Sequence, residues 1–378
     1  MTGQSAAEST NASRKMTERL TGTLHVHVAF DWGDEIDLDH AKRLAGAEEQ
    51  KLSRRPRTPS SFAYRPSPLY FALNEMELDL PETGPVRSAA EATVFDFAGV
   101  SVDIRIPFKL DKDRLPRLAG YLTDRDPLVQ IAKDLVEPLH KRLLPSIRRP
   151  LWSPFSEDYF VFHFPPGPPL PPPAVMLGPQ EAGWLARLVR MESGPLSDEE
   201  IAEAIRLHLS YSPEDLFVPD WGAAVLIDRD CNETLQTIEF VNLLLLEYRY
   251  LDERLDARLA AAYRLIHPPA HSWLPLWHTH HKPLRALGEL KVEANSMIER
   301  PVNVLKLLGD QYIARVYSLL ARRFHLEEWE QSNRRSLELV EGVYVVISDQ
   351  AASFRTELLE IIVIVLILLE IVMALIRR

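Results

Sequence analysis

Alternating apolar and polar positions predict β-strands in the first half of the chain. The clearest case begins at Thr23, where every second residue is apolar, as in a half-buried strand. The two alternating sets are Leu24, Val26, Val28 and Phe30 on one side, and His25, His27, Ala29 and Asp31 on the other. Further strands are predicted over 69–73, 92–97, 100–106, 159–164, 216–218 and 223–227, with a turn at Gly99.

Helical spacing separates some of these strands. Apolar residues three and four positions apart predict helix between Asp111 and Arg149. Another helix is predicted over 181–191, and a third begins at Ser197, where Glu200 completes a capping box. Strands and helices together predict an α+β domain.

We place that domain at residues 21–231, after a disordered tail at 1–20 that has no apolar core for a signal peptide. A proline-rich segment, 165–173, interrupts the domain. Proline removes backbone donors and fixes the chain, so this segment cannot continue a helix or a central strand. We interpret it as a stiff strap or spacer.

Beyond the domain, apolar residues follow a heptad pattern that predicts three long helices. These helices run over 232–266, over 284–319 with a kink at Pro301, and from near Glu328 onwards. They predict an antiparallel, coiled-coil-like stalk over 232–357.

The last apolar run predicts a single C-terminal transmembrane helix over 358–376. As a helix it would reach ~28 Å, close to the ~30 Å hydrocarbon core of a bilayer. A buried core helix is the alternative, because two glutamates interrupt the run. Glu370 would need protonation, snorkelling or a partner helix. The predicted anchor residues are Leu358, Ile361, Val365, Leu368, Glu370, Val372 and Leu375.

The loop at 267–281 is rich in tryptophan, histidine and proline. If it lies level with the start of the membrane helix, its apolar residues would enter the headgroup layer, where indoles are favoured. Those residues are Trp273, Leu274, Leu276 and Trp277. Its five histidines are His267, His271, His278, His280 and His281. Metal binding there competes with headgroup contact or plain solvent exposure, and we predict no metal site.

A polar group lies on the otherwise apolar stalk. Asp252 falls on the apolar seam, where a polar residue usually fixes register or pairing. A catalytic carboxylate pair is conceivable, but interhelical salt bridges account for the same residues. The predicted network comprises Glu239, Asn242, Glu247, Arg249, Asp252, Arg300, Asn303 and Asp310.

Composition narrows the function classes. A net charge of -11 disfavours broad electrostatic binding to nucleic acid, which needs a surplus of Lys and Arg. The single cysteine, Cys231, excludes an internal disulfide and is interpreted as inert. Motifs for nucleotide binding, zinc proteolysis and serine hydrolysis are missing from the sequence, so we predict no catalytic residue and no cofactor.

The helical half resembles the YagE family, which includes the "required for meiotic nuclear division" proteins. The matching segments are 215–221 (DLFVPDW), 239–247 (EFVNLLLLE) with Asp252, 303–310 (NVLKLLGD), and 359–371 (LEIIVIVLILLEI). This chain has Ile361 where the family often has tryptophan. The resemblance covers residues 197 to the end and implies a membrane-anchored helical protein without an established catalytic residue.

These features together predict a tail-anchored scaffold or tether whose partners are the lipid bilayer and further copies of itself. We expect a bacterial inner membrane, with the N-terminal domain in the cytoplasm because no export signal is evident. Two alternatives stay open. One is an enzyme or ligand sensor with a pocket in the N-terminal domain, and the other is a subunit of an oligomeric ion pathway.

Overall fold

A computed structural model describes residues 19–45, 66–124, 126–266, 288 and 311–376. The chain divides into two compact units. The first unit contains residues 1–247 and 301–327, and the second contains residues 248–300 and 328–378.

Ten strands are described, all in the first unit. They are β1 (Arg19–Asp31), β2 (Glu35–Ile36), β3 (Leu69–Ala72), β4 (Met76–Leu80), β5 (Gly84–Val94), β6 (Gly99–Asp111), β7 (Ile147–Arg148), β8 (Ser156–Phe164), β9 (Leu216–Pro219) and β10 (Ala223–Ile227). Eight of them form one sheet, in the order β3-β5-β6-β1-β8-β10-β9, with β4 paired to β5. The sheet is mixed, because β8 and β10 are parallel and the other pairs are antiparallel.

Nine α-helices are described. They are α1 (Leu38–Ala45), α2 (Leu115–Tyr121), α3 (Asp126–Leu143), α4 (Pro173–Met176), α5 (Ala182–Arg190), α6 (Asp198–Arg206), α7 (Asn232–Ile266), α8 (Gln311–Arg323) and α9 (Leu326–Ile376). The predicted serine cap is present at α6, where Ser197 Oγ accepts a hydrogen bond from the Glu200 N–H at 3.2 Å. The proline-rich segment ends at Pro173, the first residue of α4, and contains a cis peptide bond between Pro168 and Pro169.

The central strand β1 explains why the sheet has two chemically different faces. Its alternation sends every second side chain to one face, and its neighbours β6 and β8 do the same in register. One face is apolar and packs against helices that include α2, α3 and α5 to form the main core. Fully buried members of this core include Leu24, Val26, Val102, Ile104, Phe160 and Phe162.

The opposite face carries polar side chains, yet it is buried as well. The first half of α7 lies over it: Phe240 packs against Phe95, with ring centroids 6.1 Å apart. A Cβ on Gly99 would overlap the Phe97 ring and lie 3.0 Å from Leu243 Cδ2 of α7, so a larger residue here would force these side chains to move. The helix therefore covers polar strand residues that the alternation alone would assign to solvent.

The second unit contains the rest of α7 and nearly all of α9. A small apolar cluster joins them, formed by Leu251, Leu255, Leu337 and Val340. Asn333 Nδ2 also donates a hydrogen bond to the Tyr248 carbonyl at 3.0 Å, and both residues lie in this unit. Packing between two long helices is therefore present here.

The prediction of a C-terminal transmembrane helix is wrong. Among the described residues, no helix combines the length and the apolar character that a membrane crossing requires. The physical reason is the pair Glu360 and Glu370. They limit the uninterrupted apolar run to 361–369, which as a helix reaches ~14 Å, about half of the ~30 Å hydrocarbon core. The same residues belong to α9, which begins at Leu326. The predictions of a tail anchor and of a single-pass location in a bacterial inner membrane depended on this transmembrane helix and are therefore wrong as well.

Candidate metal centre

Two adjacent strands bring three metal-ligating side chains together on the polar face of the sheet. His25 and His27 are two residues apart on β1, so both project to the same face. In the antiparallel register His27 lies opposite Asp103 of β6. The local pattern His-Val-His, with Val26 in the apolar core, therefore fixes the directions of both imidazoles.

The three side chains are close enough to share one ion. One donor atom from each of His25, His27 and Asp103 lies within 4.8 Å of the other two. His25 Nδ1 lies 3.1 Å and 3.3 Å from the two carboxylate oxygens of Asp103. The imidazole rings of His25 and His27 are nearly parallel, with centroids 5.9 Å apart. We call these three residues the triad.

The triad is buried. The exposed fraction is 5% for His25, 0% for His27 and 2% for Asp103. Burying imidazole and carboxylate groups is costly unless hydrogen bonds, ion pairs or a metal compensate their lost hydration. The triad therefore concentrates ligating groups where water solvates them little.

His27 is the least satisfied of the three. Neither of its ring nitrogens has a hydrogen-bond partner among the described residues. Its Nδ1 lies 3.7 Å from Asp103 Oδ1 and 3.4 Å from Glu239 Oε1, which places two carboxylates beside it without hydrogen-bond geometry. An unsatisfied polar group at such depth costs about 1–3 kcal/mol, so its retention calls for an explanation.

Helix α7 supplies the fourth polar group at the triad. Glu239 is 1% exposed and reaches the sheet from the helix that covers it. Its Oε2 accepts a hydrogen bond from Thr93 Oγ1 of β5 at 3.3 Å, while its Oε1 faces His27. Nearby, Asn242 Nδ2 donates to the Glu157 carbonyl of β8 at 3.2 Å. These contacts hold the helix and its carboxylate on the polar face.

A cationic side chain borders the triad on the β5 side. Arg105 Nη2 lies 3.1 Å from Glu91 Oε2, and Arg105 Nε lies 3.9 Å from Asp103 Oδ2. Arg105 thus places a positive charge beside Asp103, both of whose carboxylate oxygens lie near His25 Nδ1.

On the β8 side, His163 lies beside His25 of the triad. Its ring centroid lies 5.9 Å from that of His25. Its Nε2 lies 3.0 Å from the carbonyl oxygen of Asp228, and its Nδ1 lies 3.8 Å from Cys231 Sγ. Burial lowers the pKa of His163 from its ordinary value, so the imidazole tends to be neutral, with one nitrogen as an acceptor that faces the Cys231 thiol.

The structure divides the predicted stalk network. Glu239, Asn242 and Glu247 are buried in the first unit. Arg249 is exposed and Asp252 is half-buried, both in the second unit. Burial raises the pKa of Asp252, and the carboxylates of Asp256 and Glu253 raise it further. The remaining members, Arg300, Asn303 and Asp310, lie outside the described residues, as does the loop at 267–281 with Trp273, Leu274, Leu276, Trp277 and its five histidines.

The predicted anchor residues lie on α9. Those whose side chains are described are exposed: Ile361, Val365, Leu368, Glu370, Val372 and Leu375. Leu358 belongs to the same helix, and its side chain is not among those described.

Sequence reasoning overlooked the triad. The alternation on β1 identified His25 and His27 as one face of a strand, but a half-buried strand would expose that face. The signal that could have found the site is the His-x-His spacing itself, because on a strand it places two imidazoles side by side. Asp103 shows no comparable local pattern in the sequence. It reaches the imidazoles only because β6 pairs with β1 in this register.

Comparison with known proteins places the triad in a matched region. The family model described as "Uncharacterized protein MJ0711, N-terminal domain" matches residues 21–234. The chain is also similar to "Uncharacterized protein MJ0711" of Methanocaldococcus jannaschii, with 29% identity over 194 residues, which is 50% of this chain and 58% of that protein. The chain thus spans little more than half the length of this relative. No solved structure matches.

The expected membership of the YagE family is wrong, because the family model that matches is a different one. The resemblance rested on segments from residue 197 onwards, whereas the match ends at residue 234. Short apolar helical segments recur in unrelated helical proteins, and they carried most of that resemblance.

Proposed function

We propose that this chain, which belongs to the family described as "Uncharacterized protein MJ0711, N-terminal domain", binds a divalent transition-metal ion at His25, His27 and Asp103. The observation that carries the proposal is His27, which is 0% exposed and has no hydrogen-bond partner for either nitrogen among the described residues. An imidazole lone pair directed at a metal ion would satisfy one of these nitrogens.

The donor set determines the class of metal. Two imidazoles with one carboxylate suit zinc and ferrous iron, and both ions accept these ligands at about 2.0–2.2 Å. Calcium and magnesium prefer all-oxygen sites and fit poorly here. The donor atoms lie within 4.8 Å of one another, close enough to surround one ion.

Glu239 gives the ion a role in the fold. It comes from α7, whereas the triad comes from the sheet, so an ion near Glu239 Oε1 and His27 would join the helix to the sheet. Thr93 holds the other carboxylate oxygen, as the outer partners of metal ligands commonly do. Because the triad is buried, the site suits a structural or metal-sensing role in the N-terminal unit.

This proposal belongs to the ligand-sensor class that the sequence left open. The scaffold or tether function and self-association through the long helices remain predictions. Neither depends on the triad, so each needs its own test.

The test is metal analysis of the purified protein, with His27→Gln as the variant. Wild type reconstituted with zinc or ferrous iron and then desalted should retain about one ion per chain, and His27→Gln should lose most of it. The matched control is His140→Gln, which changes a half-buried histidine that is not in the triad. It should retain metal as wild type does.

Two results would contradict the proposal. One is a wild-type protein that retains no ion after reconstitution with either metal. The other is equal retention by wild type and His27→Gln, which would place the ion elsewhere.

A further inference from the structure

Cys231 and His163 form a second pair of metal-ligating side chains beside the triad. Cys231 immediately precedes α7 and its carbonyl accepts the Leu235 N–H at 2.9 Å, so the residue is held at the helix start. His163 lies near the end of β8, and its register with Thr23 of β1 places it on the same face as His25. Two separate elements therefore fix this pair.

The orientation of His163 directs a lone pair toward the thiol. Its Nε2 lies 3.0 Å from the Asp228 carbonyl oxygen, which only accepts hydrogen bonds. Nε2 must therefore carry the hydrogen, and in the neutral ring Nδ1 is the acceptor nitrogen. Nδ1 lies 3.8 Å from Cys231 Sγ. Zinc–sulfur and zinc–nitrogen bonds of about 2.3 and 2.0 Å at a tetrahedral angle place the two donors ~3.5 Å apart, so the observed spacing is close to that of two ligands of one ion.

Burial increases stepwise from this pair to the triad. Cys231 and His163 are half-buried, His25 is 5% exposed and His27 is 0% exposed. The ring centroids of His163 and His25 are 5.9 Å apart, and those of His25 and His27 are also 5.9 Å apart. Imidazoles thus follow one another from the partly exposed pair to the buried one.

We propose that Cys231 and His163 are an entry site, where a divalent ion with affinity for thiolate and imidazole binds before it passes to the triad. This inference rests on the proposed metal function of the triad. Two protein ligands leave the remaining coordination positions to water, so the ion is held weakly at the pair. Three ligands in a buried site then hold it more tightly.

The transfer requires no redox chemistry. The Cys231 thiol releases its proton to solvent as the metal–sulfur bond forms, and the ion keeps its charge. The metal–sulfur bond then breaks as bonds to the triad form, and the thiolate takes up a proton again.

Cobalt(II) is a suitable probe because a thiolate ligand gives it a charge-transfer band in the near ultraviolet, whereas nitrogen and oxygen ligands give only weak visible bands. The chain has one cysteine, so any such band reports Cys231. Stopped-flow mixing of metal-free protein with cobalt should show the thiolate band rise and then decay as the visible bands of the triad appear. Cys231→Ser, a minimal change in size, should lose the transient band, load more slowly and reach the same final spectrum.

His27→Gln provides a second, independent readout. It weakens the acceptor site, so the thiolate band should persist where the wild-type band decays. Circular dichroism identical to that of wild type verifies that both variants are folded.

The outcomes separate this inference from the metal function itself. Wild type that acquires the visible bands of a nitrogen and oxygen site without any thiolate band, at the rate of Cys231→Ser, overturns the entry site and leaves the triad function intact. A thiolate band that never decays in wild type also overturns the transfer. Absence of any cobalt spectrum in wild type refutes both.

Discussion

The two faces of the main sheet are buried to a similar extent but differ in what burial does for them. Val26 and Phe162 on one face, like His27 and Asp103 on the other, are at most 2% exposed. The apolar face gains free energy from the area removed from water. The polar face removes imidazole and carboxylate groups from water, which costs free energy unless something compensates. Burial therefore stabilises the apolar face directly, whereas the polar face needs hydrogen bonds, ion pairs or the proposed metal ion to compensate the lost hydration.

The largest expected effect on stability comes from a substitution on the apolar face. Phe162→Ala deletes a fully buried ring from the main core and should lower the free energy of unfolding by about 3–5 kcal/mol, with or without metal. Urea unfolding of metal-free and metal-loaded protein measures it. Leu151→Ala, at a position 60% exposed, is the control and should change stability by less than about 0.5 kcal/mol. A loss that appeared only in metal-loaded protein would contradict the division of roles.

The next largest effect on stability should come from metal binding on the polar face. Zinc at a concentration one hundred times its dissociation constant should raise the free energy of unfolding by about 2.7 kcal/mol, because the ion binds the folded chain. Calorimetry should show this rise in wild type and in His140→Gln, and lose it in His27→Gln. An equal rise in all three proteins would place the stabilising ion outside the triad.

A substitution on the polar face should act with the opposite sign to one on the apolar face. His27→Leu replaces a buried imidazole without hydrogen-bond partners by an apolar side chain, so metal-free protein should gain about 1–2 kcal/mol in unfolding free energy. The same variant should no longer respond to zinc. Denaturant midpoints with and without the ion measure both effects. A loss of several kcal/mol in metal-free protein would show that His27 has a packing role instead.

The smallest effect concerns pH on the helical side of the apolar face. His140 of α3 packs edge-on against Trp32 and Trp152, and burial lowers its pKa from 6.5, with Glu137 raising it and Lys141 lowering it to lesser extents. A depressed pKa means that the unfolded chain takes up the proton more readily. The stability contributed by the neutral ring is complete above pH 6.5 and is lost as the pH falls toward the lowered pKa.

The difference between wild type and His140→Gln isolates this contribution. The stability difference should shrink between pH 7.5 and 5.5. A difference that grew as the pH fell would reverse the assigned sign of the pKa shift.

Much of the N-terminal fold could be predicted from the sequence, because period-two alternation is a local signal. The strand expected from Thr23 lies within β1, and the turn expected at Gly99 lies between β5 and β6, with Ala98 in the left-handed conformation. The burial of the second face could not be predicted. An apolar helix such as α7 carries no local signal for the surface that it covers, and that surface happens to be polar.

The candidate site was missed for the same reason. His25 and His27 are adjacent in the sequence pattern, but Asp103 and Glu239 come from 76 and 212 residues beyond His27 and meet it only in the folded chain. The prediction failed at the other end of the chain, where the length of the apolar run over 358–376 was given more weight than the two glutamates that interrupt it.

The measurement that tests the central claim most directly is X-ray absorption spectroscopy at the zinc edge of protein loaded with one equivalent of zinc. Binding at the triad predicts nitrogen and oxygen neighbours at about 2.0–2.2 Å, with the outer-shell scattering of two imidazoles and no sulfur neighbour. The imidazole scattering should fall in His27→Gln. A sulfur neighbour at about 2.3 Å, or a shell of water without imidazole, would contradict the assignment of the polar face as a metal site.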